Sequence, residues 1–409
     1  MLRPLIWFER RLGGLVAAYF TLLILVLTLA PFVFRWPVRP VLVGFATVSD
    51  LVANVALFLP LGFALGLDAR WKPAVVGFGL SVAIEVIQQF VPGRNPSLLD
   101  VVTNTLGAWL GVELYHLVRT SLTARAHRVG VLALDLPLMG LFYLLTPLLW
   151  LTGLSAGAEP VRRALAALVG VAGALILGAI DRHHLRARGV PPWVAPGVAG
   201  GWFAIGLLPG WFADPGYLLS GAFLVAAAAY LCASRLAAVE RYGARYEVPT
   251  LRQVALPLGA HLLLAAGWPF RPRLALGIGL GGGHAVGRLD TAGLLTSLEL
   301  IAACTVVGYA LAEVRGRVRE PVRWSRAIVL GQAISVAVAL TALRAFNAWL
   351  GASLIEALLY AAATYFGALL YTRQRDYVRA LLGRKTPRPH SLPGYGRIGA
   401  PLPLGDGAP

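Results

Sequence analysis

Long apolar runs dominate this sequence and leave little choice of fold. Twelve segments of about 20 predominantly apolar residues follow one another, and a helix of that length crosses about 30 Å of hydrocarbon. The composition agrees, because 58% of the residues are hydrophobic and only 13% are charged. A helix also satisfies its own backbone hydrogen bonds inside lipid. The sequence therefore predicts an all-α protein, a polytopic transmembrane helical bundle.

The distribution of basic residues predicts the orientation of this bundle. Most of the 36 Lys and Arg residues fall in alternate loops and in the C-terminal tail. Because basic residues favour the cytoplasmic side, we predict that both termini are cytoplasmic. The twelve predicted spans are 14–34, 51–67, 74–91, 98–118, 130–152, 164–180, 193–212, 217–236, 253–270, 291–312, 327–343 and 346–371.

The net charge of +17 predicts a lipid partner instead of nucleic acid. The positive residues are divided among short loops and the tail, whereas a nucleic-acid surface gathers them on one face with interleaved aromatic residues. Anionic headgroups at the cytoplasmic loops are the expected partner. The two cysteines, Cys232 and Cys304, lie in predicted spans without metal-site spacing, so we read them as small core residues and predict neither a metal nor a cofactor.

One part of the chain carries polar residues at membrane depth, where an ionisable side chain costs about 2.5–3.5 kcal/mol. With the N-terminus inside, all of them fall near the extracytoplasmic surface, at the ends of spans two, three and four. Several are four residues apart and share a helix face. They are Asp50, Asn54, Glu85, Gln88, Gln89, Arg94, Asp100 and Asn104.

The order and spacing of these residues resemble the VanZ-like family of bacterial membrane proteins. The resemblance covers about the first 120 residues, and it rests on Asn54-Val-Ala-Leu-Phe-Leu-Pro60-Leu-Gly62, Glu85-Val-Ile-Gln88, Arg94, and Asp100-Val-Val-Thr-Asn104-Thr-Leu-Gly107. The family takes its name from a protein associated with resistance to the glycopeptide teicoplanin. The resemblance implies a multi-pass protein of the bacterial cytoplasmic (inner) membrane with a cell-envelope role, and it carries the family's polar positions onto Asn54, Glu85, Gln88, Arg94, Asp100 and Asn104.

Three interpretations of the polar residues stay open. In the first, they form a site for a lipid-linked glycan or peptidoglycan precursor, with Glu85 as a base, Asp100 as its catalytic partner, and Asn54, Gln88, Arg94 and Asn104 binding substrate. In the second, the protein is a scaffold in which Arg94 pairs with Asp100 or Glu85 and locks three helices in register. In the third, the chain is a twelve-span transporter or flippase. Whether the protein is an enzyme is left open.

The resemblance and the predicted spans together divide the chain into three parts. Residues 1–128 form the predicted VanZ-like four-helix unit, residues 129–372 an eight-helix extension, and residues 373–409 a disordered, basic tail rich in Pro and Gly. Two acids inside later spans, Glu299 and Glu356, are expected to be paired internally, and the same is expected of Asp135.

Overall fold

A computed structural model describes most of the chain, and the described residues form twelve α-helices. The described ranges are 3–29, 32, 34–36, 48–66, 72–92, 94, 96–123, 128–154, 160–186, 189–211, 214–235, 246–270, 272, 278–279, 291–318, 326–347 and 352–383. The helices are α1 (Arg3–Leu29), α2 (Val48–Leu65), α3 (Lys72–Gln88), α4 (Leu98–Thr123), α5 (Arg128–Leu154), α6 (Pro160–Ile180), α7 (Val194–Trp211), α8 (Pro215–Arg235), α9 (Glu247–Gly267), α10 (Thr291–Val318), α11 (Arg326–Ala345) and α12 (Leu354–Gly383).

These helices have the length and composition of a membrane protein. Within the described ranges, 7 helices contain a window long and apolar enough to cross a membrane, namely α1, α5, α6, α8, α10, α11 and α12. Shorter apolar stretches occur in α2, α3 and α7. The predicted polytopic helical bundle is therefore confirmed. The count of twelve crossings and the cytoplasmic position of both termini stay predictions.

Small residues let α2 and α4 pack with their backbones in contact. A Cβ added at Gly107 would collide with the backbone of Val55, and one at Gly66 would collide with the side chain of Tyr115. This is the close contact that small residues four positions apart permit in membrane helices. Since the contacts advance in the same direction along both helices, α2 and α4 run parallel.

A stripe of leucines on α5 forms the centre of the larger part of the bundle. Leu138, Leu141, Leu145 and Leu148 are all 0% exposed. Their spacing of three and four residues places them on one helix face. α5 packs against α6, α7, α10 and α12, and α1 joins the same core by packing against α12.

Two helix boundaries differ from the predicted spans. α1 ends at Leu29, whereas the predicted span runs to residue 34; the described residues 32 and 34 are not helical. The last helix begins at Leu354 rather than at residue 346. Ser353 caps it, accepting a hydrogen bond from Ile355 N at 3.2 Å. Just before this cap, β2 (Ala352–Ser353) pairs in parallel with β1 (Ile278–Gly279).

The C-terminal boundary also differs from the prediction. α12 continues to Gly383, so the first residues of the predicted tail are helical. The segment after residue 372 contains good helix formers and no Gly or Pro before Gly383, which explains the continuation. It is also anchored, because Tyr309 Oη donates to Gln374 Oε1 at 2.5 Å. Residues 384–409 lie outside the described part of the chain.

Candidate functional site

Three helix termini bring the polar residues of the N-terminal region together. Asp50 and Asn54 lie in the first two turns of α2, and Asp100 and Asn104 lie in the first two turns of α4. Glu85 lies in the last turn of α3. α3 runs antiparallel to the other two helices. The start of α2, the end of α3 and the start of α4 therefore lie side by side, at one end of the bundle.

Ser97 caps α4 and ties it to α3. Its Oγ accepts a hydrogen bond from Leu99 N at 3.2 Å, as an N-cap residue does. Its own backbone N–H donates to Glu85 Oε2 at 2.8 Å. In a capping box this bond would go to the side chain three residues after the cap, here Asp100. Because Glu85 accepts it, the Asp100 carboxylate is left to interact with α2.

Asp100 is only partly satisfied by its neighbours. The Asn54 side chain hydrogen-bonds its carboxylate, and Asp50 interacts with it electrostatically. Glu85 lies close enough to interact with it as well. Asp100 Oδ1 is nevertheless buried without a hydrogen-bond partner. A buried polar atom left in this state costs about 1–3 kcal/mol.

Asn104, one helical turn further along α4, has a second acceptor atom without a hydrogen-bond partner. Its Nδ2 donates to Ser81 Oγ at 2.9 Å, which links α4 to α3. Its Oδ1 is buried and has no hydrogen-bond partner. Since Asp100 and Asn104 are four residues apart, both oxygens without a hydrogen-bond partner belong to one face of α4.

Ser81 is a member of this cluster that the sequence analysis missed. Its side chain is 0% exposed and accepts the hydrogen bond from Asn104. The available signal was its position four residues before Glu85, which puts both on one face of α3. A single serine in an apolar helix is too common to be identified by that spacing alone.

Two of the predicted substrate-binding residues contact α1. Gln88 Nε2 donates to Thr28 O at 2.9 Å, and Arg94 Nη2 donates to Leu27 O, also at 2.9 Å. These carbonyls belong to the last turn of α1, where no intrahelical donor is available. Arg94 is exposed at the rim of the cluster, whereas Gln88 is 8% exposed.

Two buried acceptors of the cluster, Asp100 Oδ1 and Asn104 Oδ1, have no donor, although other donors of the cluster are engaged. Three carboxylates lie close together, because Asp100 interacts electrostatically with both Asp50 and Glu85. Such a surface favours a ligand that presents hydroxyl, amide or ammonium donors. In the described part of the chain, no group of three or more His, Cys, Asp or Glu residues is placed to hold a metal ion.

The two later acids that were expected to be paired are paired. Glu299 Oε2 lies 2.6 Å from Arg162 Nη1, and Glu356 Oε1 lies 3.3 Å from Arg344 Nη2. Both predictions are confirmed. The side chain of Asp135 lies outside the described residues.

The fold and the polar cluster together define a helical membrane protein with a cluster of acidic residues where three helix termini meet. Residues 16–119 match the VanZ/LLP1 family model. Protein VanZ of Enterococcus faecium is 31% identical over 99 residues, which is 22% of this chain and 62% of that protein. The N-terminal region is thus VanZ-like, and the chain spans about three fifths of the length of this curated relative. No solved structure matches the chain.

Proposed function

We propose that this protein acts in cell-envelope physiology by binding the headgroup of a lipid-linked glycan or peptidoglycan precursor at the cluster of α2, α3 and α4. The observation that carries the proposal is the pair of buried, unpartnered oxygens, Asp100 Oδ1 and Asn104 Oδ1. If the polar residues only held the three helices in register, hydrogen-bond partners for these two atoms would make the protein more stable. A ligand with hydroxyl or amide donors would satisfy both.

The charged residues fit the two parts of such a headgroup. The acceptors on α4 suit sugar hydroxyls or peptide amides. Arg94, exposed at the rim, carries a planar guanidinium that suits a phosphate. A glycan joined to lipid by a phosphate would therefore place its sugar at Asp100 and its phosphate at Arg94.

The N-terminal resemblance and the predicted orientation support an envelope role. With both termini cytoplasmic, the cluster opens on the extracytoplasmic side of the inner membrane, where such precursors are used. The VanZ-like region, residues 16–119, supports a link to teicoplanin resistance. In this proposal, occupancy of the cluster changes how much precursor is accessible to the glycopeptide.

Photocrosslinking tests this binding. The full chain in nanodiscs is exposed to a lipid-linked disaccharide-pentapeptide carrying a photoreactive group. Asp100→Asn should weaken crosslinking at least about tenfold, because a hydrogen bond to a charged acceptor contributes about 1.5–3 kcal/mol. Asp214→Asn is the matched control, since Asp214 pairs with Arg163 outside the cluster. Equal crosslinking in the wild type and in Asp100→Asn would overturn the proposal.

A second substitution separates recognition of the phosphate from recognition of the sugar. Arg94→Gln should weaken binding of the phosphate-linked precursor and leave binding of a glucosyl diacylglycerol, which has no phosphate, unchanged. If both lipids lose binding equally, Arg94 serves the packing of α1 through Leu27 O and does not contact the phosphate.

A catalytic form of the proposal rests on the proximity of Glu85 and Asp100. Glu85 would be the base, since Ser97 N–H fixes its Oε2, and Asp100 would be its partner. Glu85→Gln keeps an acceptor for Ser97 but cannot take up a proton. Conversion of the precursor by the protein should then be lost, while crosslinking of the precursor to the protein is retained. An unchanged rate of conversion would show that Glu85 is not a base.

A further inference from the structure

A cavity of about 310 Å³ lies between α6 and α9, outside the VanZ-like region. This volume is at the lower end of the range for small-molecule sites, about 300–1,000 Å³. Among the described residues that line it, Arg162 alone is charged. The lining residues are Val161, Arg162, Leu165, Leu264, Ala265, Trp268 and Pro269.

Arg162 connects this cavity to a buried polar cluster behind its wall. Its Nη1 lies 2.6 Å from Glu299 Oε2, and its Nη2 donates to Thr296 Oγ1 at 3.2 Å. Thr152 Oγ1 donates to the other carboxylate oxygen of Glu299 at 3.0 Å. Glu299 is 0% exposed, whereas the Arg162 side chain keeps 17% of its surface exposed. Each carboxylate oxygen of Glu299 thus lies within hydrogen-bonding distance of a donor group.

His261 completes the cluster and faces an acceptor on each side. Its Nδ1 lies 3.2 Å from Leu165 O, a carbonyl oxygen that can only accept, so the ring proton belongs on Nδ1. Its Nε2 lies 3.4 Å from Glu299 Oε1 and forms no hydrogen bond. In the neutral ring, Nε2 presents a lone pair to a carboxylate oxygen. A proton on Nε2 would turn this contact into a charge-assisted hydrogen bond.

We propose that the cavity binds a singly charged anionic group at Arg162 together with one proton on His261. With His261 neutral, the charges of Arg162 and Glu299 cancel. Protonation of His261 gives the cluster a net charge of +1. An anion against the exposed part of Arg162 restores neutrality, so each binding event favours the other. No bond is made or broken in the ligand.

The charged groups that interact with His261 are the two on which the coupling between anion binding and proton binding depends. Glu299 on α10 and Arg162 on α6 are the groups that interact with its ring electrostatically. α11 also packs against α9 and carries Arg344 near its end, but the Arg344 guanidinium is paired with Glu356 of α12. α5 contributes Thr152, which has no charge.

The net charge of +1 selects a ligand with one negative charge. The apolar residues of the lining allow this anion to be either free or attached to an apolar chain. Leu165, Leu264 and Trp268 provide apolar surface beside the guanidinium. The anion could therefore be a small solute or the headgroup of an amphiphile. An amphiphile should bind more tightly than a small anion, because burial of each CH₂ group contributes about 0.8 kcal/mol.

Calorimetry with two sulfate esters tests the proposal on the full chain in phosphatidylcholine nanodiscs. Methyl sulfate and octyl sulfate do not titrate near neutral pH, so any proton taken up belongs to the protein. Titrations in buffers of different ionisation enthalpy should give about one proton bound per anion above about pH 7, where histidine is neutral. The Kd should rise about tenfold per pH unit in that range.

Three variants assign the effect to the cluster. Arg162→Gln should lose binding of both esters. His261→Gln should bind with an affinity that does not depend on pH and without proton uptake. Arg163→Gln is the matched control, because the neighbouring Arg163 pairs with Asp214 at 3.0 Å instead of lining the cavity, and it should behave as the wild type.

The outcomes separate the proposal from its alternatives. Tighter binding of octyl sulfate identifies an amphiphile site, and equal affinities identify a site for a small anion. Binding without proton uptake, or uptake that persists in His261→Gln, would overturn the coupling. Failure of both esters to bind the wild type would overturn the site itself. If Arg162→Gln does not fold, the contrast between wild type and His261→Gln still decides the question.

Discussion

At the scale of single residues, Asp100 is the most informative side chain in the N-terminal region. It receives one hydrogen bond from Asn54 and has a buried oxygen without a partner, with two other carboxylates nearby. An arrangement like this lowers the stability of the fold. Functional sites commonly contain residues that lower stability in this way, because activity and stability are traded against each other.

This reasoning predicts opposite effects of neutralising two buried acids. Asp100→Asn should leave the free energy of unfolding unchanged or raise it by about 1 kcal/mol, because it relieves repulsion and keeps an acceptor for Asn54. Glu299→Gln should lower it by about 3–5 kcal/mol, because Arg162 would lose its charged partner. Thermal unfolding in detergent compares the two variants. A large loss of stability in Asp100→Asn would favour the polar lock.

Sequence spacing predicted the acceptors of this site but not their partners. Asn54, Asp100 and Asn104 were identified because polar residues four apart in an apolar helix share a face. The bond from Ser97 N–H to Glu85 was not predicted. It replaces a local capping bond with one across two helices, and nothing in the local sequence distinguishes these two outcomes. The substrate-binding and catalytic roles of the site residues stay predictions.

At the scale of helices, the close contact between α2 and α4 positions the site. A Cβ added at Gly62 would collide with the carbonyl of Ala108, and one at Gly111 would collide with Leu59 O. The parallel helices can approach this closely only where both surfaces lack side chains. The same contact brings the second turn of α2, with Asn54, against Asp100.

Gly62→Ala should therefore separate α2 from α4 and lower the free energy of unfolding by about 1–3 kcal/mol, the usual cost of overpacking. The matched control is Gly79→Ala on α3, where a Cβ would meet nothing within 4 Å. That change should be neutral or should stabilise the helix by up to about 1 kcal/mol. Equal midpoints for the two variants in thermal unfolding would contradict the proposed contact.

The helices themselves were largely predictable, and their ends were not. Each predicted span falls on one helix, since long apolar runs determine helices in lipid. The start of α12 at Leu354 depends on the cap at Ser353 and on the pairing of β2 with β1. That pairing joins residues about 70 positions apart, and no local pattern reports such a contact.

At the scale of the whole molecule, the two polar centres on which the proposals rest differ in origin. The first lies in the VanZ-like region and consists of neighbouring helix termini. The second joins α5, α6, α9 and α10 through Thr152, Arg162, His261 and Glu299. The sequence predicted that Glu299 has a partner but not which one, because Arg162 is 137 positions away. The predicted orientation places both centres on the extracytoplasmic side.

That orientation is the central claim, because an envelope function requires the acidic site to face outward. In a background without Cys232 and Cys304, single cysteines are introduced at the exposed Pro92, beside the site, and at the exposed Pro192, at the opposite end of the bundle. Intact cells are then treated with a membrane-impermeant thiol reagent. We predict that Pro92→Cys is labelled and that Pro192→Cys is protected until the cells are lysed. Labelling at 192 with protection at 92 would place the site in the cytoplasm and contradict the account.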